Sequence, residues 1–298
     1  MLEKKEPFWW SHSLQSWLEI EIFLNGCDNL KNVTSKELIN KSNWEPISIG
    51  RSNHSYCLTL GHTKYFVQII NSTNNIFLPY ECAISLNNIL GQESYEELST
   101  WLVVTFFQSR NVKIQEWFES ETVSARFSHN DEVIDFLARF LAKLHECRPV
   151  KLPEFNLYKH LCKYKNIAIS NKRNINAQKE INLCFKKAVA TLKSYKPGFL
   201  CHYDLNLNNV LFNKNTNTLK VIDWEYTCIG DPILDLTALI NNLKLTKVKK
   251  LNFISNYRRF STNSNMSSQF FGEKKLYDMK LLNECIYELW VYGQPSST

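Results

Sequence analysis

Residues 199–222 read FLCHYDLNLNNVLFNKNTNTLKVI. Two apolar runs, Phe199-Leu200-Cys201 and Val210-Leu211-Phe212, enclose a segment dense in acids and amides, and a third run, Leu219-Lys220-Val221-Ile222, stops at Asp223. Lys214-Asn215-Thr216-Asn217 separates the last two runs, and Asn is a turn residue because its side chain bonds nearby backbone. The pattern predicts a hairpin of strands Asn209–Asn213 and Leu219–Ile222. His202, Asp204 and Asn209 then lie at the entry to the hairpin and Asp223 at its exit, so polar groups distant in sequence share the ends of neighbouring strands. An Asn-rich chain places Asn and Asp in turns for local reasons alone. A lone Asp-x-x-x-x-Asn therefore says little, whereas the ordered set of four residues around one hairpin is hard to reach by chance.

The surrounding chain has two textures. Residues 8–25 and 35–42 carry helical spacing, and then EPISIGRSNHSYCLTLGHTKYFVQII reads as strands Pro46–Ile49, Ser55–Leu60 and Tyr65–Ile70. Gly50-Arg51-Ser52-Asn53 forms the first turn and Gly61-His62 the second. A helix is expected after Pro79, and WLVVTFF and VKIQEW pair as strands around Gln108–Asn111. From Asp131 the apolar residues 133, 134, 136, 137, 140, 141 and 144 recur with helical period. Residues 157–194 read as mostly helical, and helices resume from Pro232 to the end. The expected plan is α+β: a smaller β-rich lobe, residues 1–117, a connection near 115–122, and a larger mainly helical lobe, residues 118–298. Ligands commonly bind in a cleft between such lobes.

The 298 residues suffice for a sizeable core, and 44% hydrophobic with 21% charged residues is ordinary for a globular protein. The charge of +6 is modest. Lysines between Lys159 and Lys196 read as a solvated helix face, because no nucleic-acid-binding motif accompanies them, so no nucleic-acid partner is expected. The nine Cys residues contain no Cys-x-x-Cys, and several sit in apolar runs. They read as small buried groups in a reducing compartment, not as a disulfide framework or zinc site. The N-terminus, MLEKKEPFWWSHSLQSW, lacks the apolar core of a signal peptide, and no stretch approaches a membrane span. A soluble cytoplasmic protein is expected.

The chemistry that suits this spacing is phosphoryl transfer. The transferred group is anionic, and catalysis is mostly positioning and charge neutralisation. Mg²⁺ prefers hard oxygen ligands, which Asn209 and Asp223 offer. An attacking hydroxyl needs an acceptor for its proton, which Asp204 offers. His-x-Asp-x-x-x-x-Asn followed by Asp after a strand is the spacing of the protein-kinase catalytic signature.

CHYDLNLNNVLF with LKVIDWEYTCIGDPILDLTALI resembles the catalytic core of the aminoglycoside phosphotransferase and choline kinase superfamily, small-molecule kinases with a protein-kinase-like fold. Asp223-Trp224-Glu225-Tyr226, with Gly230-Asp231-Pro232 and Asp235, is most similar to the bacterial thiamine kinase and choline/ethanolamine-kinase-like branch. GRSNHSYCL (50–58) resembles that branch's nucleotide loop, Glu81 falls at its helix Glu, and LARFLAKLHE (137–146) resembles the helix before its catalytic loop. The resemblance runs collinearly over residues 45–240. It implies ATP and Mg²⁺ as cofactors, Asp204 as catalytic base with His202 holding the loop, and Asn209 and Asp223 as Mg²⁺ ligands. Asp235 would brace the loop. Gly50, Ser52 and Asn53 would cover the phosphates, with Gln68 and Glu81 beside them, and Glu116 would lie in a hinge, residues 115–118, that meets adenine.

Departures fall in the strand and in the loop, where Asn206-Leu207-Asn208 stands for the family's usual His-Pro-Gly. Gln68 occupies the strand position where the family carries a basic residue, and Lys64 is on the same face but further along. Tyr203 replaces the family's small residue after the His. A cationic alcohol such as choline or thiamine would be held by aromatic faces and carboxylates, for which Glu225, Tyr226 and Trp290 are candidates, with Trp224, Tyr287 and Tyr292 nearby in the chain. Three functions stay open: a kinase for such an alcohol, an aminoglycoside phosphotransferase, and, because of Gln68, a weakly active nucleotide-binding pseudokinase.

Overall fold

The computed structural model describes residues 18–20, 22–23, 43–47, 54–70, 96–109, 111–123, 130–147, 156–172, 174–261 and 271–294. The chain groups into two compact units, Met1–Tyr80 with Leu102–Glu119, and Glu81–Trp101 with Ser120–Thr298. The architecture is α+β, with an antiparallel sheet in the first unit and mainly helices in the second. Among the described residues, no helix is long and apolar enough to cross a membrane.

The first unit is a five-stranded sheet built from β1 (Trp44–Ile47), β2 (His54–Leu60), β3 (Thr63–Ile69), β4 (Thr105–Gln108) and β5 (Val112–Glu116). Its strand order is β1-β2-β3-β5-β4. Gly61 takes φ 58 in the two-residue loop that joins β2 to β3, a conformation that glycine enters without a steric penalty. Alternation along β3 and β5 sends Tyr65, Val67, Ile69, Val112 and Ile114 to one face, where they form the core with Tyr56, Leu58, Leu60, Trp44 and Ile20. Phe23 and Phe107 pack against this cluster. The Gly50–Asn53 turn and the helix expected after Pro79 lie outside the described residues.

The first described helix of the second unit is short, α1 (Glu96–Ser99). Trp101, expected at the start of a strand, lies instead in a turn, and β4 begins only at Thr105. The reason is packing: the Trp101 ring meets Phe136 and Phe140 edge-on at 5.4 and 6.0 Å, and its carbonyl accepts from the Val221 N–H at 2.7 Å. Within the stretch expected as a connection, 115–122, β6 (Glu121–Thr122) pairs with β8 (Val210–Asn213). Helix α2 (Asp131–Glu146) starts at an Asn130 cap whose side chain accepts from the Glu132 N–H, with Asp131 and Glu132 against the positive end of the helix dipole. Its apolar stripe, including Leu137, Phe140, Leu141 and Leu144, is fully buried, and α2 packs on α6 (Lys247–Phe260). The remaining long helices are α3 (Leu157–Asn171), α4 (Ile175–Thr191), α5 (Pro232–Asn242) and α7 (Glu273–Gly293), the last packed against α3, α4 and α5.

Two small sheets interrupt these helices. β7 (Phe199–Cys201) pairs with β10 (Cys228–Gly230), and β8 pairs with β9 (Thr218–Val221) as the expected hairpin. Asn209 itself belongs to the 3-10 turn Leu207–Asn209 that precedes β8. Asn213 Oδ1 accepts from the N–H groups of Asn215 and Thr216, and Asn217 takes φ 51, so the local Asn chemistry shapes the turn.

Candidate active site

His202, Asp204, Asn209 and Asp223 come together in the second unit at the mouth of the β8–β9 hairpin. The support begins one layer down, at Asp235 in the first turn of α5. This carboxylate is 1% exposed, and each oxygen accepts a backbone N–H at 2.8 Å, Oδ2 from His202 and Oδ1 from Tyr203. His145, at the end of α2, places Nε2 at 3.3 Å from Asp235 Oδ2 and Nδ1 at 2.7 Å from the Tyr257 hydroxyl. Cys201, His145 and Asp235 cluster within 4.8 Å, but the hydrogen bonds already made by the imidazole and the carboxylate commit them to bracing the loop.

His202 is fully buried, and burial pushes its imidazole below the usual histidine range, so it stays neutral. Its tautomer follows from its partners: Nδ1 accepts the Asp204 N–H at 3.3 Å, and Nε2–H donates to the Ile222 carbonyl at 3.1 Å. One ring thereby ties the residue before Asp223 to the residue that bears the candidate base. The Trp224 ring lies 4.6 Å from it and donates through Nε1 to the Val221 carbonyl, which makes Trp224 a support of the loop.

Asp204 accepts from Asn209 Nδ2 at 3.0 Å on Oδ2 and from Asn206 Nδ2 at 3.4 Å on Oδ1. Both amides also donate to the Asp204 carbonyl, at 2.8 and 3.1 Å. Asn206 thus belongs to the same hydrogen-bonded cluster; its own Oδ1 accepts from the Asn208 N–H and closes the 3-10 turn. Asn209 is held at three atoms. Its N–H donates to the Asn206 carbonyl at 3.0 Å, its Nδ2 is used by Asp204 and its carbonyl accepts the Ile222 N–H at 2.9 Å, which leaves Oδ1 to act as a ligand. Asp223 sits at φ 68, ψ 57, a left-handed conformation that costs a non-glycine residue of the order of 1 kcal/mol or more and concentrates at functional sites. Burial first, and the Asp223 charge second, push Asp204 up from the usual carboxylate range to about 7, against the hydrogen bonds from Asn209 and Asn206.

Tyr203, the residue that replaces a small one in the pattern, also has φ 61. Its hydroxyl accepts the Asp231 N–H at 2.7 Å and meets the Tyr195 hydroxyl at 2.9 Å. A Cβ on Gly230 would lie 1.9 Å from that hydroxyl oxygen. The large side chain at 203 therefore requires glycine at 230, a dependence that spacing alone does not reveal. Asp231 caps α5 through Ile233 N–H at 3.0 Å and pairs with Lys275 at 2.8 Å, so the loop, the helix start and α7 are joined.

The other expected site residues fall in several places. Gly50, Ser52, Asn53 and Glu81 lie outside the described residues. Gln68 is half-buried on β3. Glu116 ends β5, its carboxylate accepting the Val104 N–H at 3.0 Å. Glu225 and Tyr226 share the 3-10 turn after Asp223. Trp290 is half-buried on α7 with the exposed Tyr287 ring stacked on it at 6.0 Å, and Tyr292 donates to Glu180 of α4.

Residues 43–248 match the phosphotransferase enzyme family model. A stretch of 135 residues is 29% identical to a probable choline kinase 1 of Arabidopsis thaliana, covering 42% of this chain and 37% of that one, so the chain spans well under two thirds of the curated relatives it matches. Among solved structures, the choline kinase LicA of Streptococcus pneumoniae superposes with TM-score 0.65 at 20% identity, over 84% of this chain and 85% of that one. An ethanolamine kinase of Plasmodium vivax superposes with TM-score 0.68 at 16% identity, over 90% and 80%. The fold is that of these kinases, and the chain belongs to the phosphotransferase enzyme family.

Proposed function

We propose that the protein is an ATP-dependent phosphotransferase that moves the γ-phosphate of ATP to the hydroxyl of a small cationic alcohol of the choline, ethanolamine or thiamine type. The observation that carries this reading is the Asn209 amide, which donates to the Asp204 carboxylate while its own oxygen remains available beside the left-handed Asp223. The names of the relatives, choline and ethanolamine kinases, favour the cationic alcohol, and LicA has been crystallised with AMP.

In this mechanism Asp204 accepts a hydrogen bond from the acceptor hydroxyl and takes its proton as the oxygen attacks the γ-phosphorus. The bond from that phosphorus to the β-γ bridging oxygen breaks, and ADP leaves with the electron pair. The hard-oxygen donors Asn209 Oδ1 and Asp223 fit Mg²⁺ and would hold it. Bound there, Mg²⁺ supplies charge neutralisation for the phosphates. His202 and Asp235 keep the Asp204 backbone in place and do not touch the reacting atoms. A base near neutrality suits proton abstraction at physiological pH. Activity requires ionised Asp204, so kcat/KM should rise with pH through about 7 and level off above it.

The test is ADP release from Mg-ATP with a panel of choline, ethanolamine, thiamine and aminoglycosides. Release that depends on a cationic alcohol, and that falls by about 10²–10⁴ in Asp204→Ala, is expected. Release with aminoglycosides alone would replace the acceptor, and nucleotide binding without turnover on any alcohol would leave a pseudokinase.

A further inference from the structure

Gln68 lies where the family resemblance places a cation, and the sheet shows what stands next to it. Gln68 is directly opposite Ser55 of β2 on one side and Lys113 of β5 on the other, and Lys113 is opposite Gln108 of β4. Directly opposed residues of antiparallel strands project to the same face, with Cβ atoms about 4.5–5.5 Å apart. Ser55, Gln68, Lys113 and Gln108 therefore make a polar row across four strands. Their chain neighbours Val67, Ile69, Val112 and Ile114 face the other way and are at most 6% exposed, which fixes the row on the face opposite the core.

Within that row Lys113 carries the only charge. It is half-buried, and neither it nor Gln68 makes a side-chain hydrogen bond or ion pair with any described residue. Lys64 shares the face but differs in both respects. It is four residues from Gln68, about 13 Å along the strand, and its ammonium is paired with Glu119 at 2.8 Å. Among the described residues this half-buried ammonium has only neutral amides and a hydroxyl beside it in the row, a setting that favours an anion. Lysine binds phosphate as a point charge on a flexible four-carbon stem, long enough to span the offset between adjacent strands.

We propose that Lys113, reaching across from β5, supplies the cationic contact to the nucleotide phosphates that Gln68 does not. The assignment rests on the kinase reading above. Gln68 adds a neutral hydrogen bond at the same place, and the charge has moved one strand over instead of being lost.

Calorimetric titration of the full chain with Mg-ATP and with adenosine tests this. Lys113→Met is expected to weaken ATP binding on the order of 10- to 100-fold, the range for one charge-assisted hydrogen bond, and to leave adenosine affinity unchanged. The double variant Gln68→Lys/Lys113→Gln, which returns the charge to β3, is expected to recover ATP binding. Wild-type ATP affinity in Lys113→Met overturns the assignment, as does equal loss of ATP and adenosine, or a comparable loss in Lys64→Met. If the unaltered chain binds neither ATP nor adenosine, the kinase reading falls and Lys113 with it. If it binds ATP and Lys113→Met does so equally, only Lys113 falls.

Discussion

The catalytic loop and the polar row of the sheet keep their function-bearing groups in place by different means. In the loop, Asp204, Asn209 and His202 are each held by two or more hydrogen bonds, and the loop backbone is fastened to the buried Asp235. In the row, Gln68 and Lys113 are positioned by strand register, with no hydrogen-bond partner for their polar ends among the described residues. A general base must be aimed within a fraction of an ångström, so its surroundings over-determine it. In its proposed role Lys113 would act through charge over a longer range, for which placement by register is enough. In the loop, the large Tyr203 side chain is matched by Gly230.

The sharpest way to break this contrast is at Asp235. Asp235→Ala leaves two buried backbone N–H groups without acceptors and is expected to cost about 3–5 kcal/mol, read by denaturant unfolding. A loss under about 1 kcal/mol would mean that the loop is held elsewhere. Next comes Gly230→Ala, whose Cβ meets the Tyr203 hydroxyl and should cost about 1–3 kcal/mol together with a fall in kcat. Adding Tyr203→Gly should recover stability and kcat, since it empties the space and suits φ 61; a double variant no better than the single one would separate the two residues. The smallest effect is expected for Asp204→Asn. Burial raises the Asp204 pKa from 3.8 to about 7, so ionisation opposes folding once the pH passes upward through that interval. The Asn variant should therefore melt about 2–4 °C higher than the wild type at pH 8. The gain should vanish near pH 3.5, where both side chains are neutral, and melting curves at the two pH values measure it. A gain of equal size at both would assign it to something other than charge.

Much of the site could be read from local spacing. The hairpin and the order of His202, Asp204, Asn209 and Asp223 follow from residues within about one supersecondary unit, where turn chemistry and strand alternation act, whereas the bracing part of Asp235 came from the family resemblance. Asn206 was passed over because a second amide in an Asn-rich loop carries no distinguishing signal; its value lies in the direction of its Nδ2 toward Asp204. Trp101 was placed in a strand because WLVVTFF is apolar throughout, and periodicity cannot tell a strand from a residue drawn away to pack on Phe136 and Phe140.

The sequence by itself determined the element types, the hairpin and the cast of acids and amides, because these depend on backbone preferences and hydrophobic period over short stretches. Only the tertiary structure decided which distant groups meet. Tyr203 and Gly230 are brought together where loop and strand cross, His145 and Tyr257 where α2 packs on α6, and Gln68 and Lys113 where two strands separated by 42 intervening sequence positions (70–111) pair through Ile69 and Val112. Such partnerships arise from long-range packing and strand register, and a one-residue slip in that register would turn Lys113 into the core and Val112 or Ile114 out of it.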